Sequence, residues 1–519
     1  MEWPCFSYSH ACLLPTALLL LLAILLPQIA SRRRLHHLPP GPRGLPLFGN
    51  LFDLGAAPHE ELARMKVHYG DVLWLKLGAV GTLVIQSASS AAEFFKRHDA
   101  DFAERTITDV MRAHDYHKGS VALAGYGPVW RVLRRLITME MVVTRRINDT
   151  VGIRRKCLDD MLRWIEEEAE SITRLDDHDG RRVGLQVSKF VFLMSFNMLG
   201  NLMLSRDLLD PKSGTGSEFF TAMNSLMQWS GRANVSDFFP ILRWFDIQGL
   251  RRNMVRDLGR ALEIASSFVE ERVREKRKGG DREGRDFLDL LLEYEGTRSD
   301  EPAKIGDKEI NIFILEIFMA GSETTSSTTE WAMTELLHNP TKLAKLKSEM
   351  RQVVGDRVLE ESDIEALPYL QAVVNETLRL HPPIPFLVPR RAMRDTKFLN
   401  YDIPENTQVF VNTWAIGRDP EIWTDPDTFD PERFIGSRVE YRGKNFEFIP
   451  FGAGRRMCAG VPLAHRILNL VLGSLVHSFD WELESLVRPE AMDARGTLGI
   501  TMRKLEPLRA VPTKRRGSH

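Results

Sequence analysis

A mainly α-helical body with a minor sheet is predicted for this chain by three observations. Apolar residues recur with a 3.6-residue period over 88–97, 154–169, 187–202, 252–274, 310–338 and 368–380, the spacing of a helix face. Apolar and polar residues alternate over 71–76 and 82–86 around Gly78 and Gly81, as in a two-stranded hairpin, and 397–412 is a second strand-rich stretch with a turn at Pro404-Glu405-Asn406. No period of about 20 to 50 residues repeats, which excludes solenoids and propellers. Of 519 residues 43% are hydrophobic and 27% charged, enough for a packed core. A net charge of -1 excludes nucleic acid as a partner, because phosphate binding needs a basic excess.

Residues 1–30 are expected to form a luminal end and a membrane anchor. Twenty residues, 11–30, carry no charge, and at about 1.5 Å per residue they span the roughly 30 Å of a bilayer core. Residues 1–12 hold no Lys or Arg, whereas Arg32, Arg33 and Arg34 follow the apolar run. That asymmetry argues against a cleaved signal and leaves the body in the cytoplasm. Residues 31–50 read as a basic stop and a proline-rich hinge, where Pro39, Pro40, Pro42 and Pro46 make a stiff spacer. Residues 51–519 form one large domain. The aromatic-rich stretch 237–250 is either core or a second contact with the membrane surface. Cys5, Cys12, Cys157 and Cys458 form no C-x-x-C pair, and so few cysteines suit a reducing compartment.

The chemistry centres on residues 448–460, FIPFGAGRRMCAG. A thiol titrates near 8.5 and is lowered by positive neighbours, a helix N-terminus or a metal. Gly452 and Gly454 permit positive-φ turns, 462–477 reads as a helix that aims its free N–H groups at the Cys458 sulfur, and Arg455 and Arg456 add charge. Gly460, without a side chain, leaves space for something flat and bulky, and a haem fits. A second constellation, Ala320-Gly321-Ser322-Glu323-Thr324-Thr325, falls mid-helix, where glycine costs up to about 1 kcal/mol and Ser or Thr bonds the carbonyl four residues back. It is either a harmless kink or a distorted turn with room for a small molecule, flanked by an acid and an alcohol that relay protons. Glu376 and Arg379, three apart, share one helix face. Gly125-x-Gly127 runs into Trp130 and follows no strand, so no dinucleotide site is read there and electrons must come from a partner.

The spacing F-x-x-G-x-R-x-C-x-G, met by Phe451, Gly454, Arg456, Cys458 and Gly460, resembles the haem-binding signature of the cytochrome P450 family. The resemblance implies that family's fold, with haem b ligated by the Cys458 thiolate beside Phe451 and Gly460. It also implies that Ala320, Gly321, Glu323 and Thr324, matching A-G-x-[ED]-T, cross the distal face. Thr324 would hold dioxygen by a hydrogen bond and Glu323 would help deliver protons. Pro431-Glu432-Arg433-Phe434 matches P-E-R-F, which implies a buried triad of Glu376, Arg379 and Arg433 that keeps the proximal core in shape. Trp130 and Arg134, matching W-x-x-x-R, together with Arg390 and Arg456, would meet the two propionates. Val110, His114, Phe313, Ile317, Phe386, Leu387, Leu498 and Ile500 would line the substrate pocket.

By the same resemblance, electrons come from NADPH through the membrane-bound NADPH–cytochrome P450 reductase, docked near Arg455, and the protein sits in the endoplasmic reticulum membrane, in contact with lipid. The segments SDFFPILRWFDIQGL and CAGVPLAHRILNLVLGSLVHSFDW are similar to the plant microsomal branch that includes geraniol and other terpenoid hydroxylases. A small apolar terpenoid or phenolic is the implied substrate, and monooxygenation the implied reaction. Two alternatives stand beside it: a haem-thiolate isomerase or dehydratase, against which the intact Glu323-Thr324 pair speaks, and a non-enzymatic haem sensor.

Overall fold

The computed structural model describes residues 37–175, 183–211, 217–278, 285–484, 488–489 and 492–515. The expected anchor, Arg32 to Arg34, Cys5 and Cys12 lie outside them. The body is mostly helix. Its principal helices are α1 (Pro58–Tyr69), α2 (Ala88–Arg97), α3 (Pro128–Leu136), α4 (Val151–Leu175), α5 (Val187–Leu204), α6 (Ser217–Ser230), α7 (Leu250–Arg277), α8 (Asp307–His338), α9 (Pro340–Val353), α10 (Pro368–Leu380) and α11 (Val461–Ser478). All six periodic segments fall in helices, two of them, α2 and α10, with the predicted ends.

The axis of the molecule is α8, 32 residues and so about 48 Å long. Asp307 and Glu309 sit in its first turn, where carboxylates complement the positive end of the helix dipole. Most of its residues from Ile310 to Leu337 are buried, because α5, α7, α10 and α11 surround it. The helix α5 is apolar and long enough to cross a membrane by composition, yet it is 89% buried. It is a core helix: Phe196 packs on Phe318 of α8 at 4.6 Å between ring centroids, a favourable aromatic contact.

Strands β1 (Val72–Leu77) and β2 (Val80–Ile85) form the predicted hairpin, pairing Val72 with Ile85 and Leu77 with Val80. With β3 (Glu104–Arg105), β4 (Arg390–Arg391) and β5 (Gln408–Val411) they make a five-stranded sheet in the order β1-β2-β5-β4-β3, in which β2 and β5 run parallel. A C-terminal hairpin, β6 (Gly496–Leu498) and β7 (Met502–Lys504), lies against α8, where the Ser327 hydroxyl donates to the Met502 carbonyl at 2.8 Å.

The proline-rich segment differs from a free spacer in its described part. Trp74 N–H donates to the Pro40 carbonyl at 2.8 Å, Asn50 N–H to the Lys76 carbonyl at 2.6 Å, and Asp402 N–H to the His37 carbonyl at 2.8 Å. Proline removes donors but not acceptors, so the Pro40 carbonyl can still dock on the free edge of β1 at Trp74.

Candidate active site

The loop from Phe448 into α11 turns on two glycines with positive φ, Gly452 at 72° and Gly454 at 69°. Cys458 N–H donates to the Phe451 carbonyl at 3.0 Å, which closes the loop and holds the sulfur before the first turn of α11. The N–H groups of Gly460 and Val461 point at that sulfur, as the free donors of a helix start should. Protein encloses the thiol, and burial pushes its pKa up against the pull of Gly460, Arg134 and Val461. The expected effect of Arg455 and Arg456 is absent, because both guanidinium groups are engaged elsewhere. A metal on the sulfur would remove the proton outright.

Cys458 is nonetheless exposed, and so is Ala320 in the middle of the otherwise buried α8, with Thr324 half-buried one turn on. Accessible atoms on two enclosed segments mark an interior opening. A Cβ at Gly460 would meet only the Cys458 sulfur, at 3.7 Å, so that face has space for a flat group.

Around this opening buried cations outnumber their partners. Arg390 donates to Asp99 Oδ1 at 2.7 Å and to the Ala453 carbonyl at 3.1 Å. Arg455 meets Asp99 Oδ2 at 2.9 Å. Arg456 donates to the carbonyls of Ala103 and Ala124 at 3.0 and 2.6 Å, and its guanidinium lies 4.3 Å from the Trp130 ring centroid. The Trp130 indole N–H donates to the Val121 carbonyl at 2.9 Å. Among the described residues, Arg105, Arg134 and Arg456 have no carboxylate within salt-bridge distance, and Arg134 makes no side-chain hydrogen bond. Burial and the neighbouring Arg390 lower Arg456 to about 10, and burial lowers Arg105 too. Such an array is stable when an anion shares it, and the two carboxylates of a haem supply that charge. The residues present therefore fit the group.

Three members of this array carry no motif. Asp99 braces Arg390 and Arg455. Arg105 donates to the Ala122 and Val388 carbonyls, at 2.9 and 2.5 Å. Glu316 accepts from Ser120 Oγ at 2.8 Å and from the N–H groups of Val121 and Ala122 at 2.5 and 2.6 Å. A lone acid one turn before Ala320, inside an apolar run, was the only available signal for it.

At the centre of α8, Thr324 Oγ1 donates to the Ala320 carbonyl and Thr325 Oγ1 to that of Gly321, both at 2.7 Å, and the helix is unbroken. The glycine has a packing reason: a Cβ on Gly321 would stand 2.9 Å from Leu199 Cδ1 on α5. Glu323 points toward the C-terminal hairpin, where Oε1 accepts from Thr501 Oγ1 at 2.9 Å and pairs with Arg503. It borders a cleft of about 480 Å³ that Ser188, Lys189, Glu330 and Arg503 also line.

On the proximal side Glu376 of α10 receives Arg379 at 2.6 and 2.7 Å, Arg433 Nε at 3.0 Å and the Asp430 N–H at 2.8 Å. The residues expected around a substrate are spread more widely. Leu387 lies 3.5 Å from a Cβ on Gly452, and Ile317 is half-buried on α8. Val110 is buried, Leu498 ends the first strand of the C-terminal hairpin, and Ile500 lies in its turn. Phe313 is fully buried and stacks on Phe287 at 5.6 Å, Phe386 stacks on Phe410 at 4.9 Å, and His114 Nε2 bonds the Val255 carbonyl at 2.8 Å.

A family model described as cytochrome P450 matches residues 39–508. Cytochrome P450 76A2 of Solanum melongena is 52% identical over 514 residues, covering 99% of each chain. Iridoid oxidase of Catharanthus roseus is 50% identical over 96% of each, and geraniol 8-hydroxylase of Swertia mussotii is 40% identical over 93% of this chain and 94% of that one. A zebra fish cytochrome P450 solved with progesterone superposes with a TM-score of 0.72 at 26% identity, covering 88% of this chain and 99% of that chain.

Proposed function

The chain belongs to the cytochrome P450 family and is a monooxygenase, an oxidoreductase; from that premise we propose that it inserts one oxygen atom of dioxygen into a small terpenoid or phenolic, with electrons from NADPH passed on by NADPH–cytochrome P450 reductase. The observation that carries this reading is the exposed Cys458 at the start of α11, within an enclosed opening bordered by arginines that have no carboxylate partner among the described residues. Haem b, ligated by that thiolate, supplies the oxygen-activating chemistry, which electron donation from sulfur favours.

The chain's own residues do the rest. Arg134, Arg390 and Arg456 hold the propionates, with the Trp130 face packed on the Arg456 guanidinium. Arginine forks suit carboxylates because they bind in two places at once. Thr324 keeps a hydroxyl at the open face of α8. Glu323 stands between that face and the cleft, where its carboxyl takes protons from water and passes them inward. The Glu376 triad keeps the proximal core in shape by tying α10 to the 417–433 segment. The relatives named iridoid oxidase and geraniol 8-hydroxylase favour a terpenoid.

A membrane setting is supported by one apolar surface. Leu45, Phe48, Phe52, Ile241, Trp244, Phe245 and Ile247 are all exposed, Trp244 to 91%. Phe48 packs on Phe239 at 5.9 Å, so the N-terminal segment adjoins the 239–247 loop, and clustered exposed apolar side chains suit a membrane contact. This surface would lie on the endoplasmic reticulum bilayer, beside the apolar 11–30 stretch, with the body facing the cytoplasm.

The test is the reduced carbon monoxide complex of the full chain. It should show the thiolate Soret band at the family's characteristic wavelength, and Cys458→Ser should abolish it. Geraniol should be converted only with reductase and NADPH; conversion without them would favour an isomerase or dehydratase.

A further inference from the structure

Inside an apolar run of α8, one turn before Ala320, stands a carboxylate that the reaction does not use. Glu316 is buried and has no cation within salt-bridge distance among the described residues. Across the 120–124 turn, Arg105 and Arg456 are buried cations that likewise lack a carboxylate there. Burying a charge is costly unless it is paired and hydrogen-bonded. Each set is therefore incomplete without the other.

Peptide units join them. The Val121–Ala122 unit gives its N–H to Glu316 Oε1 at 2.6 Å, while its carbonyl accepts from the Trp130 indole at 2.9 Å and from Arg456 Nη1 at 3.4 Å. The Ala122–Leu123 unit gives its N–H to Ser120 Oγ at 3.0 Å, and that hydroxyl donates onward to Glu316 Oε1 at 2.8 Å. The carbonyl of this second unit accepts from Arg105 Nε at 2.9 Å. In both routes every donor points from cation to carboxylate, an order in which successive hydrogen bonds polarise one another.

The Val121 N–H completes the set, on Glu316 Oε2 at 2.5 Å. Both carboxyl oxygens thus accept from backbone donors, which suits the ionised form. Burial pushes the carboxyl up, against these donors and the charge of Arg105. Trp130 takes its place from the same arrangement: its N–H is tied to the Val121 carbonyl, and its ring carries the Arg456 guanidinium at 4.3 Å.

Resting on the haem-thiolate reading, we infer that Glu316 is a positioning residue for the propionate array: its negative charge, carried through the Val121–Ala122 and Ala122–Leu123 peptide units, holds Trp130, Arg456 and Arg105 in place and sets the charge that the haem carboxylates meet.

The test uses the full-length holoprotein and two readouts besides turnover: the rate at which haem passes to excess apomyoglobin, and the ferric–ferrous midpoint potential. Glu316→Gln keeps the size and deletes the charge. It should release haem at least ~10-fold faster, the effect of about one hydrogen bond to a charged group. Its potential should move to more positive values, because a negative charge that opposes reduction is gone. Glu316→Asp keeps the charge, so its potential should stay near that of the wild type even though its shorter reach loosens the turn. Ser120→Ala breaks one link and leaves the charge, and should release haem ~3-fold faster.

Unchanged haem release in Glu316→Gln overturns the inference. So does faster release with an unshifted potential, since Glu316 would then only cap the 120–124 turn. If Glu316→Gln gives no folded protein, unchanged release in Ser120→Ala overturns it. A missing thiolate Soret band in the wild type, by contrast, overturns the haem-thiolate reading on which it rests.

Discussion

Arg379 donates Nε to Glu376 Oε2 at 2.6 Å and Nη2 to Oε1 at 2.7 Å, and solvent reaches neither side chain. The remaining guanidinium donors go to the carbonyls of Gly417, Pro426 and Thr428. Among the described residues Glu376 is thus the only carboxylate partner of a fully buried arginine, and it receives Arg433 as well. Removing one member of such a pair leaves an uncompensated charge, which costs about 3–5 kcal/mol. Glu376→Ala should lower stability by that amount in denaturant unfolding and should yield mostly haem-free protein. A loss under ~1 kcal/mol would show that water compensates the two arginines.

Gly454 and Gly436 share a left-handed backbone, φ 69° and 70°, but not their surroundings. A Cβ at Gly454 would lie 2.4 Å from Asp99 Oδ1, the oxygen that binds Arg390, whereas at Gly436 nothing lies within 4 Å. Both alanine variants bear the backbone strain of about 1 kcal/mol. Only Gly454→Ala should lose ~2 kcal/mol beyond it, because Asp99 must move and release Arg390. Unfolding free energies of the two variants give the comparison directly; equal losses would mean that Asp99 moves without consequence.

What could be read from the sequence follows from what each signal measures. Hydrophobic period located α2 and α10 to the residue, because their ends coincide with a serine cap at Ser87 and with a proline at Pro368. Motif spacing brought Glu376, Arg379 and Arg433 together, but not the carbonyls that complete Arg379, since those acceptors are backbone and leave no trace in residue type. Asp99, Arg105 and Glu316 were missed for a different reason: each acts on segments outside its own element and belongs to no motif. At Gly321 the sequence leaves open a harmless kink or room for a small molecule, and the structure adds a packing contact there, where Leu199 of α5 crosses. The thiol was expected to be lowered by adjacent arginines, yet burial outweighs the helix start, and the adjacent guanidinium groups turn away to Asp99 and to carbonyls.

Glu323 is held at one oxygen by Thr501 at 2.9 Å and by Arg503, which is 46% exposed. Gln at this position keeps an acceptor for Thr501 and loses the ability to carry a proton. General acid–base groups contribute about 10²- to 10⁴-fold, so Glu323→Gln should cut product formation by ~10²-fold and raise the solvent isotope effect on turnover. The partly exposed ion pair contributes little to folding, about 1 kcal/mol or less. Stability and the carbon monoxide spectrum should therefore stay near those of the wild type. A large loss of stability with a normal isotope effect would reassign Glu323 to holding the hairpin.

The Asp237 carboxyl is pushed up to about 6, chiefly by burial and further by the charge of Asp109, against the Asp109 N–H that it accepts at 2.6 Å and the charges of Arg243 and Arg112. Unfolded, the group titrates near 3.9. Between about pH 4 and pH 6 the folded chain therefore binds more protons than the unfolded one, and stability falls as pH rises through that window and is level above it. Asn at 237 cannot ionise, and its Oδ1 still accepts the Asp109 N–H. Asp237→Asn should then be more stable than the wild type at pH 7.5 by ~1–2 kcal/mol, less than the full shift because solvent partly reaches the site. The advantage should shrink through pH 6 and vanish near pH 4, where both side chains are neutral. Paired unfolding curves at matched pH cancel every other titrating group. A variant less stable than the wild type at pH 7.5 would mean that Arg243 and Arg112 outweigh burial at Asp237.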